Sequence, residues 1–336
     1  MRALRYAGPE QIAWVDAPEP QIEQPQDLII APLAVATCDL DWQLVAGHLP
    51  FPGPFLMGHE FVGDVVEVGA AVTWVQPGTT VAVSFQPSCG HCNPCGRGQS
   101  AACREVAPTS MFGVGKVSGD WGGAFAERIR VPFGESMVSP LPARAELPAY
   151  ASAADNVLDG WRTVDGLLSP GDRVLIIGDY DSIPLYAVQA ALALGTAQVT
   201  YCTRSDQAAA NAAALGAETM LVDEWPERLP GHEITVCAVR SERALRAALH
   251  STRPGGHCTS TTIFAGDAPL PMRELYMRGI HFHTGRVNSA AMLGRAVELI
   301  ADGILEPLQI DTAVVRFDAL IDTLLDRPAA KVVALP

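Results

Sequence analysis

The chain has 336 residues, enough for two domains that each bury a core of their own. Its formal net charge of −14 at pH 7 argues against nucleic acid or an anionic membrane as a partner, because both require a basic surface. No apolar run approaches the length of a membrane span, and residues 1–6 lack the apolar region of a signal peptide, so the sequence predicts a cytoplasmic protein.

The first 150 residues consist of short apolar segments broken by proline and glycine. Strands are predicted at 27–33, followed by the apolar residues 34–37, and at 61–68, 81–83 and 128–131. Short strands with this punctuation are typical of a β-rich, barrel-like domain rather than of a helical one. The sequence contains no internal repeat and no low-complexity linker.

Four cysteines are grouped within this half of the chain. They are Cys89, Cys92, Cys95 and Cys103. Gly90 and Pro94 lie inside the turns between them, where the chain must reverse tightly. Four thiolates at this spacing can surround one zinc ion, and such a closed site is structural because no position remains for water. Two disulfides or free thiols are the alternatives, but nothing else indicates an oxidising compartment, so zinc is favoured.

Near Leu147 the pattern changes to alternating helices and strands. Helices are predicted at 148–168, 184–194, 208–215 and 244–250. Buried strands are predicted at 173–178, 199–202, 220–222, 234–238 and 257–260. Pro184 would occupy the first position of its helix and Gly195 the C-terminal cap. This alternation favours βαβ units and a doubly wound parallel sheet, followed by a helix at 292–301 and an apolar tail at 331–335.

Taken together, these features resemble a zinc-containing medium-chain dehydrogenase/reductase of the alcohol dehydrogenase type. The resemblance rests on Cys38, on Gly58-His59-Glu60, on residues 66–69, on the four cysteines and on the later α/β half. Residues 154–156 are more similar to the bacterial formaldehyde- and polyol-type members. The resemblance implies an α/β fold in which a GroES-like catalytic domain (1–150 and 288–336) is interrupted by a Rossmann nucleotide-binding domain (151–287), with the active site in the cleft between them.

The resemblance also implies a catalytic zinc site. Cys38 follows a predicted strand, His59 and Glu60 come 21 and 22 residues later, and Asp155 opens the second half. Thiolate, imidazole and carboxylate all bind zinc, and three protein ligands leave a position open for water or substrate. Glu60 would be a carboxylate that can exchange onto the metal, and Asp41 would orient the imidazole of His59. Alone, Cys38 reads as a buried apolar side chain and His59 as a core histidine, but together with the cysteine cluster they predict two zinc ions per chain.

Two positions depart from the proton relay that the family uses. Leu40 stands where relatives carry serine or threonine, and Gln43 stands where they carry a histidine. Neither side chain can pass on a proton. A proton would therefore leave by way of Asp39, His48, Asp159 or water.

The loop that would hold the cofactor diphosphate departs as well. Relatives carry GxGxxG, which lets the backbone approach the diphosphate. In the loop 178–184 only Gly178 is retained, and the loop is one residue longer. Residues 179–181 add an aromatic ring and two carboxylates, which oppose anion binding at a helix N-terminus. Ser182 and the backbone amide of Ile183 offer compensating donors; the alternative is a Rossmann-shaped domain that binds cofactor weakly or not at all.

The end of the second strand of this half bears on the choice of cofactor. NAD enzymes carry an acidic residue there, whereas this chain has Thr203-Arg204-Ser205. An arginine between two hydroxyls suits a 2′-phosphate, so NADP(H) is preferred over NAD(H). The alternative is that Arg204 merely begins a solvated turn. Arg286 lies in a segment similar to one near the nicotinamide of relatives, where it would reach the diphosphate.

The sequence therefore predicts a zinc-dependent oxidoreductase that transfers hydride between NAD(P)(H) and an alcohol, aldehyde or ketone. Zinc would polarise the substrate oxygen, and the nicotinamide would carry the hydride. Two other classes stay open: a zinc enzyme of the same fold with non-redox or conjugate-reduction chemistry, and a non-catalytic binding protein. The expected partners are a small alcohol or carbonyl compound and further copies of the chain, as a homodimer or homotetramer.

Overall fold

A computed structural model describes residues 1–49, 51–264 and 266–336. The chain divides into two compact units. Unit 1 comprises Met1–Leu158 and Asn288–Pro336, and unit 2 comprises Asp159–Val287. The division between the units falls after Leu158, inside a helix, and after Val287, whereas the domains predicted from the sequence divide after residues 150 and 287.

Short strands and helices alternate through the described residues. The strands are β1 (Arg2–Gly8), β2 (Gln11–Asp16), β3 (Leu28–Ala36), β4 (Phe55–Leu56), β5 (Glu60–Val68), β6 (Thr80–Val83), β7 (Ile129–Val131), β8 (Val138–Pro140), β9 (Arg173–Ile177), β10 (Gln198–Thr203), β11 (Glu218–Leu221), β12 (His232–Cys237), β13 (Thr252–Ser260), β14 (His281–Thr284), β15 (Thr312–Arg316) and β16 (Lys331–Leu335). The α-helices are α1 (Asp39–Val45), α2 (Asn93–Gly96), α3 (Gly134–Met137), α4 (Leu147–Tyr150), α5 (Asn156–Trp161), α6 (Ser182–Ala193), α7 (Asp206–Leu215), α8 (Glu242–Ser251), α9 (Met272–Arg278), α10 (Ser289–Ala301) and α11 (Leu320–Asp326).

Unit 1 is built on a mixed, mostly antiparallel sheet. Its strands run in the order β15-β16-β3-β5-β6-β8, and β7 pairs with β3. A smaller sheet, β2-β1-β4, lies in the same unit. Leu28, Ile30, Phe61 and Phe125 are fully buried in one core cluster, together with side chains from both sheets. β3 and β5 are apolar over most of their length, which is why these central strands are buried. The predicted β-rich half is confirmed.

Unit 2 is a doubly wound α/β domain. The strand order among its described residues is β11-β10-β9-β12-β13-β14, and every neighbouring pair is parallel. Strand β9 lies inside the sheet, and its residues 174–177 are fully buried because helices cover both faces. In such sheets ligands bind beyond the carboxyl ends of the strands, where the strand order reverses. Here that reversal lies between β9 and β12, and the predicted fold class is confirmed.

Two local predictions need correction. Residues 148–168 do not form one helix: α4 and α5 are separated by turns over 151–155, because Ser152 and Asp155 there direct their side chains onto Glu60 and Cys38. Pro184 is the third residue of α6 rather than the first. It is tolerated there because the first four amides of a helix have no acceptor within it. Among the described residues no helix is long and apolar enough to cross a membrane.

Candidate active site and metal centres

Four potential metal-binding side chains meet in unit 1. Cys38 caps the N-terminus of α1 just after β3, His59 and Glu60 begin β5, and Asp155 lies in the turn before α5. Strands β3 and β5 pair so that Ala36 faces Glu60, which brings the end of one strand beside the start of the other. All four side chains are buried, and one ligand atom from each lies within 4.8 Å of the other three. The sequence-predicted ligands are therefore brought together, although Cys38 and Asp155 are 117 residues apart.

The donor set of this pocket fits a zinc ion. The Oδ2 atom of Asp155 lies 3.3 Å from the Cys38 Sγ atom and 3.5 Å from His59 Nε2. Neither ring nitrogen of His59 makes a hydrogen bond, although the residue is fully buried. A buried polar group without a partner is costly, so such groups in native proteins are usually satisfied by water, an ion or a ligand. A thiolate, an imidazole and a carboxylate converging on one point are the ligands of a catalytic zinc.

Glu60 is held by two residues that the sequence interpretation did not identify. Lys331 Nζ, from β16, lies 3.1 and 2.9 Å from the two carboxylate oxygens, and Ser152 Oγ donates to Oε2. Strand β3 lies between β5 and β16, and its Ala36 faces both Glu60 and Val333. This pairing places a buried cation next to a buried carboxylate. Glu60 therefore has other partners than a metal.

Burial sets the protonation of this cluster. It raises the pKa of Glu60 to about 8, although Lys331 acts in the opposite direction. Burial disfavours the imidazolium form of His59, but Asp155 and Asp41 together raise its pKa. Burial and the neighbouring carboxylate of Asp155 raise the pKa of the Cys38 thiol well above its ordinary value. A divalent cation bound here would offset the cost of burying the charges of these groups, because it favours the anionic thiolate and the neutral imidazole.

Asp41 and Asn156 complete the surroundings of Cys38. Asp41 is fully buried, and its Oδ2 accepts a hydrogen bond of 2.9 Å from the Cys38 amide as part of a capping box. Its Oδ1 has no hydrogen-bond partner, nor has His59 Nδ1. The thiol of Cys38 lies 3.3 Å from Asn156 Oδ1, to which it can donate. The role of Asp41 in orienting His59 stays a prediction.

Sequence signals for the additional residues were present but weak. Lys331 is the single charge in the apolar tail 331–335, and a charge at a buried position needs a partner. Ser152 and Asn156 flank Asp155 in a segment that the sequence interpretation treated as plain helix. A polar cluster inside a helix-like run is the signal that could have identified them.

The positions of the family proton relay carry no direct substitute. Leu40 packs against the core of unit 1. Gln43 Oε1 lies 3.1 Å from Nδ1 of His48, which is exposed. In unit 2 the carboxylate of Asp159 accepts a hydrogen bond from Arg162. Among the predicted alternatives, His48 contacts the relay position Gln43.

The four cysteines form a second cluster in unit 1. One sulfur from each lies within 4.8 Å of the others, with Sγ separations of 3.4 Å from Cys92 to Cys95 and 4.0 Å from Cys92 to Cys103. Four sulfurs around zinc at the usual bond length are about 3.8 Å apart. The cysteines are not in disulfides, and backbone amides donate to the Sγ atoms of Cys89 and Cys103. Such bonds favour thiolates, although burial is the larger effect at Cys89 and raises the pKa of its thiol. Amides of Arg104 and Cys95 lower the pKa of Cys92 to about 6. The lobe thus fits a closed zinc site.

The predicted nucleotide loop joins β9 to α6 in unit 2. A side chain at Gly178 would lie 2.6 Å from the Tyr201 hydroxyl and from Cβ of Pro184, so only glycine fits there. The Tyr201 hydroxyl donates to the Asp179 carbonyl at 2.7 Å, and Gln207 Nε2 donates to the Tyr180 hydroxyl at 2.7 Å. Side chains of the sheet and of α7 therefore contact the backbone and the side chains of this loop.

Other predicted nucleotide contacts lie close to this loop. Arg204, at the end of β10, forms an ion pair of 2.9 Å with Asp179 and stacks on Trp225 at 4.8 Å. Ser205 caps α7 by accepting from the Ala208 amide, and Thr203 Oγ1 accepts from the Ser205 amide. Ser182 is fully buried in the first turn of α6, beside Ile183. Arg286 is exposed beyond β14, at the opposite edge of the sheet from β10 and β11.

Comparison with known proteins places the chain in a family. Residues 24–143 match the model of the alcohol dehydrogenase GroES-like domain. A protein of Acremonium sp. described as a medium chain reductase/dehydrogenase is 31% identical over 294 residues, which cover 82% of this chain and 98% of that protein. A protein of Mycobacterium tuberculosis described as a probable zinc-binding alcohol dehydrogenase is 29% identical over 292 residues, which cover 83% of this chain and 73% of that protein.

A solved structure is similar to this chain over its full length. The alcohol dehydrogenase TADH from Thermus sp. ATN1 is 27% identical, with a TM-score of 0.91 over 100% of this chain and 99% of that chain. The order of a GroES-like domain interrupted by a doubly wound domain is thus shared. The chain belongs to the zinc-containing medium-chain dehydrogenase/reductase family of alcohol dehydrogenase type.

Proposed function

We propose that the protein is a zinc-dependent, NAD(P)-linked oxidoreductase that interconverts an alcohol with an aldehyde or ketone. The observation that carries the proposal is the buried cluster of Cys38, His59 and Asp155 in unit 1, whose imidazole nitrogens have no hydrogen-bond partner. Three protein ligands of this kind leave a position for substrate. Unit 1 would then be the catalytic domain and unit 2 the nucleotide-binding domain.

In this proposal each residue of the pocket has a distinct task. Zinc held by Cys38, His59 and Asp155 would polarise the substrate oxygen as a Lewis acid. Glu60 stands beside the ligands, and Lys331 and Ser152 hold its carboxylate, so it would reach the metal only after leaving them. Asp41 fixes the backbone of Cys38 through its amide, and its free Oδ1 atom is available to orient His59.

A second zinc is proposed for the four-cysteine lobe, giving two zinc ions per chain. The sulfur separations of 3.4 and 4.0 Å bracket the spacing that zinc requires. The segment that carries the four cysteines also contacts another part of unit 1, because the Ala101 amide donates to Asn288 Oδ1 at 3.1 Å. Zinc here would stabilise unit 1 and take no part in the chemistry.

We further propose that NADP(H) is preferred over NAD(H). The guanidinium of Arg204 lies at the carboxyl edge of the sheet, where the cofactor ribose binds in this fold. Its stacking on Trp225 keeps the guanidinium in place. A 2′-phosphate would have to replace the carboxylate of Asp179 as the partner of Arg204. Thr203 and Ser205 would keep hydroxyl hydrogens to donate, because both accept through oxygen in the cap.

A second candidate function is supported by the nucleotide loop. The two carboxylates of Asp179 and Asp181, and the tyrosine between them, oppose a diphosphate at the start of α6. A chain with this loop and no affinity for nicotinamide nucleotides would be a binding protein on the same fold, or a zinc enzyme without redox chemistry. Its partners would still be small molecules rather than nucleic acid, given the acidic surface.

One experiment separates these candidates. Zinc content is measured after gentle purification, NADPH and NADH are titrated by fluorescence or calorimetry, and a panel of alcohols and aldehydes is then assayed. We expect two zinc ions per chain, NADPH binding tighter than NADH, and turnover with at least one member of the panel. Zinc without any nucleotide binding would support the second candidate. Less than one zinc per chain would contradict the metal assignment. Light scattering of the same sample would test the proposed homodimer or homotetramer.

A further inference from the structure

Three histidines of unit 2 lie together outside the site described above. His257 is on β13, and His281 and His283 are on the neighbouring strand β14. The strands are parallel, with His257 facing His281 and Thr259 facing His283. Side chains two residues apart on a strand share a face, so all three imidazoles project from one side of the sheet. The opposite face of these strands carries Cys258 and Phe282, which pack into the core.

The imidazoles are in direct contact. His257 Nδ1 and His283 Nε2 are joined by a hydrogen bond of 2.9 Å, whose donor depends on the tautomers of the two rings. The ring of His257 stacks on that of His281 with centroids 4.8 Å apart and on that of His283 with centroids 5.2 Å apart. Two nitrogens bound at about 2.0–2.1 Å and at right angles, as in square-planar or octahedral sites, would also be about 2.9 Å apart. A metal ion could therefore replace the hydrogen bond without separating these two nitrogens.

His257 and His283 are held in the protonation state that binds a metal. Burial lowers the pKa of His257, and charge on His283 or His281 would lower it further, whereas Asp172 acts in the opposite direction. Burial, His281 and Arg162 lower the pKa of His283. Neutral imidazole is the form that binds metals, and the lowered pKa values keep both rings neutral at pH 7. The guanidinium of Arg162 bonds to Asp159 and to the Gly285 carbonyl.

We propose that His257 and His283, with His281 as a third ligand, form a binding site for a late first-row transition metal ion such as Ni²⁺, Cu²⁺ or Zn²⁺. Imidazole nitrogens are favoured ligands for these ions. The three rings do not yet offer nitrogens within 4.8 Å of one another, so His281 turns about its side-chain bonds to complete the set. It is free to do so because it is exposed, whereas the other two are half-buried. Water fills the remaining positions.

Such an ion would link the edge strand of the sheet to its neighbour. β14 is four residues long, and among the described strands it pairs with β13 alone. A metal shared between His257 and His283 adds a cross-strand connection at this edge. Binding of the metal to folded unit 2 would then raise its thermal stability by mass action. The inference holds whether or not unit 2 binds a nicotinamide nucleotide.

The test is calorimetric titration of Ni²⁺ into the zinc-loaded full chain, with zinc release measured in parallel. We expect one binding event beyond any exchange at the two sites of unit 1. His257→Gln and His283→Gln should each weaken it by at least about tenfold, since loss of even an outer partner of a ligand costs roughly 10–100-fold in metal affinity. His281→Gln should weaken it less. His250→Gln is the matched control, because His250 is a half-buried histidine of the same unit that pairs with Glu274.

The outcomes decide the proposal. If wild type binds no additional Ni²⁺, or if the His257 and His283 variants bind it as wild type does, the proposal is wrong. If a variant unfolds, its titration is replaced by thermal melts. Wild type and His281→Gln are then melted with and without Ni²⁺. There, a metal-induced rise in Tm that is smaller in the variant supports the site, and equal shifts contradict it. Nitrogen hyperfine structure in the spin-resonance spectrum of added Cu²⁺ would count the imidazoles directly.

Discussion

The metal pocket of unit 1 and the nucleotide loop of unit 2 differ in how their polar groups are satisfied. In the pocket, the ligand atoms converge on one another, and both nitrogens of His59 lack hydrogen-bond partners. In the loop, Arg204 pairs with Asp179, and Tyr201 donates to the Asp179 carbonyl. Because the buried nitrogens of His59 have no hydrogen-bond partner, the pocket gains from a ligand directly. The nucleotide loop must instead give up contacts within the protein before it binds a ligand.

The cost of that exchange is small. Arg204 is 46% exposed at its side chain, and an ion pair between exposed groups contributes about 0–1 kcal/mol. A charge-assisted hydrogen bond to a phosphate contributes about 1.5–3 kcal/mol. A 2′-phosphate would therefore be expected to replace Asp179 as the partner of Arg204. The difference between the two regions predicts tight, obligatory metal binding in unit 1 and weaker, adjustable nucleotide binding in unit 2.

The largest effect is expected from removing a ligand of the pocket. Cys38→Ala should lose one of two zinc ions and lower kcat/KM at least about 10³-fold, because a Lewis-acid metal supplies several kcal/mol of transition-state stabilisation. Metal analysis and steady-state kinetics measure both. The control is Cys202→Ala, a buried cysteine of unit 2 outside both clusters, which should keep both zinc ions. Unchanged zinc content in Cys38→Ala would mean that the pocket of unit 1 does not bind metal, and the contrast with the nucleotide loop of unit 2 would be lost.

The next effect concerns the buried pair that holds Glu60. Lys331→Met should lower the free energy of unfolding above pH 8, by up to about 3–5 kcal/mol, because it leaves an ionised, buried carboxylate without its cation. The loss should be smaller at lower pH, where Glu60 is protonated with or without Lys331. Burial raises the pKa of Glu60 to about 8, although Lys331 acts in the opposite direction, and removing Lys331 raises that pKa further. The stability of wild type therefore falls as pH rises from the unfolded value near 4.3 to about 8, whereas the stability of the variant continues to fall above pH 8.

Chemical denaturation at pH 6 and pH 9 measures this difference. Lys331→Arg keeps the cation and should lose much less stability at both values. A loss that is as large at pH 6 as at pH 9 would mean that packing, and not the charge of Glu60, causes it.

A third prediction concerns the cysteine lobe. Cys92→Ala should lose the other zinc and lower the Tm of unit 1 by at least about 4–8 °C, the shift that corresponds to roughly 2 kcal/mol for about 200 residues. A structural zinc contributes its binding energy to folding, which is why the effect appears in stability. Differential scanning calorimetry with and without a chelator measures it. Arg97→Ala, at an exposed position of the same lobe, is the control.

The fourth prediction tests the contacts of the nucleotide loop. Arg204→Ala should weaken NADPH binding about tenfold and leave NADH nearly unchanged, because only NADPH carries the 2′-phosphate. Dissociation constants of both nucleotides measure the gap. Arg253→Ala, at the opposite, amino end of strand β13 in unit 2, should leave both constants unchanged. Equal affinities for the two nucleotides in wild type would remove the basis for preferring NADP.

The smallest effect should come from Asp179→Asn. It removes the carboxylate that competes for Arg204 and a negative charge near the diphosphate, so NADPH should bind a few-fold tighter. The replacement keeps the Asp179 carbonyl that Tyr201 contacts. Weaker binding in this variant would indicate that the loop is already fitted to its ligand through Asp179. The nucleotide loop, like the metal pocket, would then be arranged for its ligand in advance, and the difference between the two regions would disappear.

Much of the fold was predictable because it depends on local pattern. β5 and β9 lie within a residue or two of their predicted ranges, since apolar runs bounded by glycine and proline specify buried strands. The region 148–168 was not predictable. Its helix-like composition is interrupted because Ser152 and Asp155 bond to residues about a hundred positions earlier. Strand β14 and helix α1 were missed because each is too short to show a period of its own.

The sequence by itself determined the cysteine lobe, because Cys89 to Cys103 form one short loop whose spacing alone limits the geometry. It also identified the ligand residues of the other cluster, which are Cys38, His59, Glu60 and Asp155. Only the tertiary structure decided that Glu60 is held by Lys331, which lies 271 residues away, and that Arg204 pairs with Asp179. Spacing restricts atoms only over a few residues. Beyond that, strand register and burial decide which side chains meet, and these depend on how the whole chain packs.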